Sequence, residues 1–255
     1  MGALHPGHAS LIVRAKQACD FVVVSVFVNP TQFNNSTDFE TYPSTLEHDM
    51  RVAQQAGADA VFTPDVDELY AGNLTVESVD YGLLTSAYEG QMRKGHFDGV
   101  VAVVRKLFRA VQADEAFFGE KDLQQLAVIR RLAQEEFPGL SVVGCPLVRE
   151  EDGLAMSSRN VRLVGDSRQQ ALALYGWLER LKAEVVQQRE IGSVLDAIER
   201  EAGVMETVEL EYVDVVDGQT FEPVRNGLDE GRSFAVIAAH VGGVRLIDNC
   251  RLACS

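Results

Sequence analysis

The sequence predicts an open, doubly wound parallel α/β domain followed by a smaller α+β domain, and three observations predict it. Over roughly the first 148 residues, stretches with apolar residues at helical spacing alternate with short β-branched runs, the pattern of βα units whose right-handed crossovers build a parallel sheet. Near residue 150 that rhythm stops, and two amphipathic helical stretches lead into alternating strands joined by glycine turns. At 255 residues the chain is long enough for two hydrophobic cores. The expected domains are 1–149 and 150–255.

The elements follow in order. Leu11, Ile12, Ala15, Ala18 and Cys19 lie at helical spacing, and Phe21 to Val28 is an almost unbroken β-branched and aromatic run. Such a run predicts a strand buried on both faces. Asn29-Pro30 closes it, and Thr31 to Ser44, with Asn34, Asn35, Asp38 and Pro43, reads as a long polar loop at the strand's carboxyl end, where open α/β sheets bind ligands. Thr45 to Gln55 predicts a helix with Thr45 as its cap, Ala60 to Thr63 a short strand, and Tyr81 to Glu89 a further helix. Val100, Val101, Val104, Leu107, Phe108 and Val111 place a helix over Phe97 to Val111; Glu115 to Phe118 is strand-like, Leu123 to Phe137 helical, and Ser141 to Val148 a strand. Glu150 to Gly153 makes a polar turn. Arg168 to Gln188 and Ile191 to Ala202 are then amphipathic helices, and Val208 to Tyr212, Phe234 to Ala239 and Val244 to Ile247 are strands, with turns at Asp217-Gly218 and Gly242-Gly243.

Composition bounds the function. Hydrophobic residues make up 46% and charged residues 24%, ordinary values for a globular protein. No stretch is apolar for long enough to span a bilayer, and no signal-like segment opens the chain, so a cytoplasmic protein is expected. The formal charge of −15 argues against general affinity for nucleic acid or anionic membrane. It leaves anionic substrates open, because a few local cations and backbone N–H groups can bind a phosphate while distant charges are screened. Cys19, Cys145, Cys250 and Cys254 lack metal-ligand spacing; the first two sit in apolar runs and read as buried thiols.

Four clusters can carry chemistry. In Met1-Gly2-Ala3-Leu4-His5-Pro6-Gly7-His8 two imidazoles three residues apart share a face if a helix begins there, and Gly7 lets an anion approach the backbone N–H groups at the helix's positive end. Two histidines and a turn would equally cap a surface helix, and zinc would need further ligands. In Phe118-Gly119-Glu120-Lys121-Asp122-Leu123-Gln124-Gln125 a strand ends in glycine and a helix begins with charged and amide residues, a junction that suits phosphate and ribose or a solvated helix start capped by Asp122. Met156-Ser157-Ser158-Arg159-Asn160 gathers hydroxyls and a guanidinium that suit a polyphosphate or an exposed linker. Arg93-Lys94-Gly95-His96-Phe97 reads as a basic surface loop before a helix.

Taken together, Met1 to His8, Phe27-Val28-Asn29-Pro30-Thr31-Gln32-Phe33, Gly95 to Val100, Phe118 to Gln125 and Met156 to Asn160 closely resemble the pantothenate synthetases, or pantoate–β-alanine ligases. The resemblance covers essentially the whole chain, including Arg245-Leu246-Ile247-Asp248-Asn249 near its end. The His-x-Gly-His opening belongs to the wider nucleotidylyltransferase superfamily, with its Rossmann-like parallel sheet; the later runs narrow the match to the ligase.

The resemblance implies a two-step reaction. ATP and pantoate give pantoyl adenylate and pyrophosphate, and the amine of β-alanine then displaces AMP. It also implies roles. Met1, Gly2, Ala3, Leu4, His5, Pro6, Gly7 and His8 would bind ATP, with His8 as proton donor beside His5; Gly119, Glu120, Lys121 and Asp122 form the second ATP-binding run, with Lys121 catalytic; Val148, Met156, Ser157, Ser158 and Arg159 form the third. Gln32 and Gln125 match the residues that hold pantoate, Gln32 also facing β-alanine. An amide there can donate to a carboxylate or accept from a hydroxyl without adding charge. Mg2+ is expected with the phosphates, without a dedicated protein cage, and a homodimer is expected. Rival readings are a plain nucleotidyltransferase and an inactive nucleotide-binding module.

Ser44, Lys94 and Leu123 depart from the family's usual Arg, Pro and Tyr at those places, and none is a named ligand. The family also carries a segment before the His-x-Gly-His turn, including a first central strand, whereas Met1 here lies inside the motif. The expectation is a chain shortened at its amino end or given a misplaced start codon, which would fold poorly without that strand.

Overall fold

A computed structural model describes residues 2–32, 45–229 and 231–252. The chain divides into two compact units, one of residues 1–120 and 124–146, the other of residues 121–123 and 147–255.

The first unit is α/β. Helix α1 (Pro6–Ala18) leads to strand β1 (Val23–Ser25), helix α2 (Leu46–Gln55) and strand β2 (Ala60–Phe62). After the short helices α3 (Val66–Tyr70), α4 (Leu83–Ser86) and α5 (Glu89–Met92) come helix α6 (His96–Val111), strand β3 (Glu115–Gly119), helix α7 (Leu123–Glu136) and strand β4 (Ser141–Cys145). Both strand pairs are parallel: Val23, Val24 and Ser25 of β1 stand opposite Ala60, Val61 and Phe62 of β2, and β3 runs beside β4 from Glu115/Ser141 to Gly119/Cys145. Parallel pairs joined through helices are what alternating periods of 3.6 and 2 require. Leu4, Ile12, Ala15, Val22, Val24, Val26 and Ala53 form one apolar cluster of this unit, with Phe117 packed against it.

Several elements differ from the sequence reading, each for a local reason. The run from Phe21 to Val28 is not buried on both faces: Val22, Val24 and Val26 turn into the cluster, while Phe21 and Val23 are 66% and 36% exposed. The alternation follows from packing: the Val22, Val24 and Val26 face meets Leu4, Ile12, Ala15 and Ala53, and β1 pairs along its edge with β2 alone among the described residues. Helix α2 begins after Thr45, but the Thr45 hydroxyl donates to Asp49 at 3.3 Å instead of capping the backbone. The expected helix over Tyr81 to Glu89 is two short pieces, because Tyr88 takes φ 46° between them. Strand β4 stops at Cys145, where Pro146 removes the next donor. Helix α3 has no counterpart in the sequence reading; Asp65 accepts from the Glu68 N–H at 2.7 Å and Glu68 accepts from the Asp65 N–H at 2.8 Å, a reciprocal cap. The polar loop expected over Thr31 to Ser44 begins with a 3-10 turn at Pro30–Gln32, and its remainder lies outside the described residues.

In the second unit, helices α8 (Asp166–Val186) and α9 (Ile191–Ala202) pack on an antiparallel sheet of β5 (Val208–Asp217), β6 (Ser233–Val241) and β7 (Val244–Arg251), in that order. All three strands run past their expected ends, and β5 slips register between Leu210 and Tyr212. Gly242 and Gly243, at φ 55° and 78°, make the two-residue hairpin that joins β6 to β7, and a Cβ on Gly242 would run into Ser167. Asp217-Gly218 is not such a hairpin: Asp217 accepts from Gln219 and Thr220, and residues 218–232 intervene before β6.

Candidate active site

The opening run forms a loop that feeds α1. Gly2 and Leu4 are buried, Leu4 within the apolar cluster, and Ala3 takes φ 49°. Helix α1 starts at Pro6, earlier than His8, with His5 as N-cap; proline suits the first helical position, where its missing N–H loses nothing. The His5 and His8 rings lie 3.9 Å apart. The His5 backbone N–H donates to His8 Nδ1 at 3.3 Å, which selects the tautomer carrying hydrogen on Nε2 and makes that atom a donor. Gly7, at the second helical position, adds a backbone N–H with no side chain over it. Met1 lies outside the described residues.

The loop is gripped from α2. Asp49, 1% exposed, accepts from the Ala3 N–H at 2.9 Å and the Leu4 N–H at 2.7 Å, and His48 Nε2 lies 3.3 Å from the Leu4 carbonyl. The sequence signal for Asp49 is an acid on the inward face of its helix, four residues before the buried Ala53.

Asn29 organises the end of β1. Its Oδ1 accepts from the Tyr70 hydroxyl at 2.7 Å and from Thr31, and its amide donates to the Gly99 carbonyl at 3.1 Å. Those bonds hold the Pro30–Gln32 turn; the Gln32 side chain lies outside the described residues. Burial pushes the Tyr70 phenol above its ordinary pKa, so it stays a donor at neutral pH. In α7 two adjacent amides diverge. Gln124 is buried and spends its side chain on the Leu84 and Ala87 carbonyls and the Glu89 N–H, bracing the α4–α5 segment. Gln125 is half-buried and has no side-chain hydrogen bond among the described residues.

Gly119 ends β3 and Glu120 begins a 3-10 turn, Glu120–Asp122. Gly144 stands opposite Phe118 in β4, and a Cβ there would come within 3.2 Å of Glu120 Oε1 and 2.9 Å of Arg130, so bare backbone leaves room for both. The Cys145 thiol, pushed above its ordinary pKa by burial, is inert as expected. Cys19 is only half-buried and its Sγ contacts Glu115 at 3.8 Å, a correction to its reading as a core thiol.

In the second unit, Lys121 is 21% exposed at its side chain, and its Nζ lies 3.7 Å from the exposed carboxylate of Asp122. The Lys121 carbonyl accepts from the Asn249 amide at 3.1 Å. Val148 and Met156 are brought together: the Met156 N–H donates to the Val148 carbonyl at 2.9 Å, Arg149 bridges Ala155, and the Glu150 N–H donates to the Leu154 carbonyl at 2.8 Å, a tight ribbon. Ser157 Oγ then accepts from the Arg159 N–H at 3.2 Å, turning the chain into the 3-10 turn Asn160–Arg162. Buried Asn160 donates to Ala155 at 2.9 Å and to Glu150. Burial would raise the Glu150 carboxyl, but hydrogen bonds from Arg168 and Asn160 outweigh it and hold the group below its usual value.

Arg149 carries the ribbon's anchor. It meets Asp248 with two nitrogens, at 2.6 and 3.0 Å, donates to the Gly153 and Asn249 carbonyls, and lies 4.0 Å over the Tyr175 ring. Burial pushes the Asp248 carboxyl above its ordinary pKa in spite of Arg149. Among the described residues no group of three or more His, Cys, Asp or Glu could hold a metal ion, and no helix is long and apolar enough to cross a membrane.

A family model described as pantoate-beta-alanine ligase matches residues 1–251. A pantothenate synthetase of Rubrobacter xylanophilus is 46% identical over 264 aligned positions, covering 99% of this chain and 89% of that protein. Among solved structures, a pantothenate synthetase of Thermus thermophilus superposes with a TM-score of 0.93 at 40% identity, covering 99% of this chain and 91% of the other. A pantoate-beta-alanine ligase of Francisella tularensis, complexed with beta-gamma ATP and beta-alanine, superposes with a TM-score of 0.77 at 32% identity, covering 98% and 87%.

Proposed function

The chain belongs to the pantoate–beta-alanine ligase family, and from that premise we propose how its residues divide the work of condensing pantoate with β-alanine at the expense of ATP. It is a ligase that uses ATP. The pantoate carboxylate attacks the α-phosphorus, the bond to the β-phosphate oxygen breaks and pyrophosphate leaves; the β-alanine nitrogen then attacks the acyl carbon, loses a proton, and AMP leaves.

The observation that carries the assignment of residues is the tie between the His5 N–H and His8 Nδ1, because it fixes the His8 ring, with its Nε2 as donor, at the positive end of α1 beside the Gly7 N–H. Donors fixed before charge develops are what a phosphoryl transition state needs. In this reading Gly2 to His8 hold ATP, His8 donates to the phosphate oxygen that gains charge, and His5 packs against it. Lys121 neutralises phosphate charge, with Gly119, Glu120 and Asp122 shaping the turn around it. Val148 and Met156 to Arg159 form the third ATP-binding run. Gln125, with no partner of its own among the described residues, and Gln32 hold pantoate.

Mg2+ would arrive on the phosphate oxygens, where it offsets their charge; the exposed Asp122 carboxylate is placed on the same run and suits one of its waters. The proposal includes the nucleotide-binding role of residues 1–149, a smaller domain at 150–255, and a homodimer working in the cytoplasm, on the strength of family membership.

The test is exchange of labelled pyrophosphate into ATP. Exchange that requires pantoate and proceeds without β-alanine is the expected result. ATP binding without exchange, or exchange indifferent to pantoate, would overturn the adenylate route.

A further inference from the structure

We propose that Asp49, which lies in none of the nucleotide-binding runs, is a positioning residue that sets the geometry of the ATP loop. Its carboxylate is all but inaccessible, and each oxygen takes a different backbone N–H of the loop, Oδ2 that of Ala3 and Oδ1 that of Leu4. At the next peptide unit, between Leu4 and His5, His48 Nε2 reaches the Leu4 carbonyl. Two successive N–H groups converging on one carboxylate demand a particular backbone shape, and Ala3 shows it: φ 49° is a conformation that residues with a Cβ avoid. Asp49 therefore holds the chain in a strained conformation two residues before His5, and so sets where the N-cap of α1 begins.

An amide cannot replace the carboxylate. An asparagine side chain in its place would offer one acceptor oxygen, and its NH2 would face a backbone N–H. With the grip lost, Ala3 relaxes out of the left-handed region, and His5, His8 and the first N–H groups of α1 shift away from the phosphates. Pantoate, held by residues of other elements, is unaffected.

This inference rests on the reading that Gly2 to His8 hold ATP, and its test separates the two. In pantoate-dependent pyrophosphate exchange, Asp49→Asn should raise KM for ATP by about tenfold and leave KM for pantoate within about twofold, because a buried polar pair at the ATP loop alone is broken. Adding Ala3→Gly, which removes the Cβ cost of positive φ, should recover about threefold of the loss relative to Asp49→Asn. A merely structural Asp49 would raise both KM values together and gain nothing from Ala3→Gly. If Asp49→Asn does not fold, the exposed His48→Ala still loosens Leu4, and a rise of about twofold or more in KM for ATP is expected. An unchanged KM for ATP in whichever variant folds overturns the inference. Wild-type protein without pantoate-dependent exchange sinks the ATP-loop reading instead.

Discussion

Removing Arg149 should destabilise the second unit more than any surface ion-pair variant. Its partner Asp248 is 3% exposed at the side chain, so truncation to alanine leaves a carboxylate inside the protein with no counter-charge at hydrogen-bonding distance. The same change strips donors from the Gly153 and Asn249 carbonyls and a cation from the face of Tyr175. Breaking a buried pair from one side costs about 3–5 kcal/mol, against a total of about 5–15 kcal/mol for a domain. At roughly 2–4 °C per kcal/mol for a chain of this size, the melting temperature should fall by roughly 6–20 °C. Trp177, the sole tryptophan, lies in the core of α8 and donates to Glu201 at 3.1 Å, so its fluorescence follows this unit. The pH dependence has a definite sign. The folded Asp248 pKa is already raised by burial, and losing Arg149 raises it further. A raised folded pKa means that the native state binds the proton more tightly than the unfolded chain, so its stabilising contribution is present at low pH and lost as pH rises through the folded value. The deficit of Arg149→Ala relative to wild type should therefore shrink between about pH 7 and about pH 5. A loss below about 1 kcal/mol, or one independent of pH over that window, refutes the reasoning, since it would mean that Asp248 gains solvent at no cost.

Other variants separate chemistry from fold. Lys121→Ala should abolish pantoyl adenylate formation while leaving the Trp177 transition in place, because only the Lys121 backbone carbonyl holds Asn249; normal exchange in the folded variant would remove Lys121 from the mechanism. Gln125→Ala should raise the pantoate requirement well above any change for ATP, since an amide that braces nothing else is lost, and equal effects on both substrates would reassign it. Gln124→Ala should instead lower the melting temperature, by about 1–3 kcal/mol of lost stability per unsatisfied group, because its partners are buried backbone; a wild-type melt would contradict that. The Cys250 thiol, pushed up to about 12 by burial, should resist alkylation at neutral pH until the second unit unfolds, and rapid labelling of native protein would show that it is accessible.

The fold was most legible where one face of an element is clearly apolar. Helix α9 spans Ile191–Ala202 as its periodicity requires, with Ile191, Val194, Leu195 and Ile198 inward. Legibility failed where hydrophobicity does not say which face is covered. The run from Phe21 to Val28 is apolar at nearly every position, and alternation in its burial comes from packing on one side. Tyr81 to Glu89 has helical composition, but Gln124 takes the Leu84 and Ala87 carbonyls and fixes a break there from a place far along the chain. Helix α3 was within reach, since Asp65 and Glu68 stand at capping-box spacing. The site divides in the same way. His5 and His8 are local and readable, whereas the grip of Asp49 on Ala3 and Leu4 spans more than forty residues and shows in the sequence only as an acid on an inward face.

An acidic chain that handles a polyanion has to solve the site's electrostatics locally. Most of the strong cations in the second unit already answer to carboxylates: Arg149 to Asp248, Arg168 to Glu150 and Asp152, Arg180 to Glu201, Arg245 to Glu211. These pairs contribute little field at a distance, and the surplus of exposed carboxylates is screened beyond about 8 Å at physiological salt. What remains for a phosphate is the charge that is loosely held and the dipoles that are fixed. Lys121, whose carboxylate neighbour Asp122 stands at 3.7 Å and half in solvent, can exchange that contact for a phosphate oxygen with little desolvation. At the start of α1 proline brings no N–H and the His8 and Ala9 N–H groups already donate to the His5 carbonyl, so the Gly7 N–H and the helix dipole are what this turn offers an anion. A net charge of −15 is thus compatible with binding a polyanion, because what a phosphate meets is set by the few groups within a Debye length of it and not by the total.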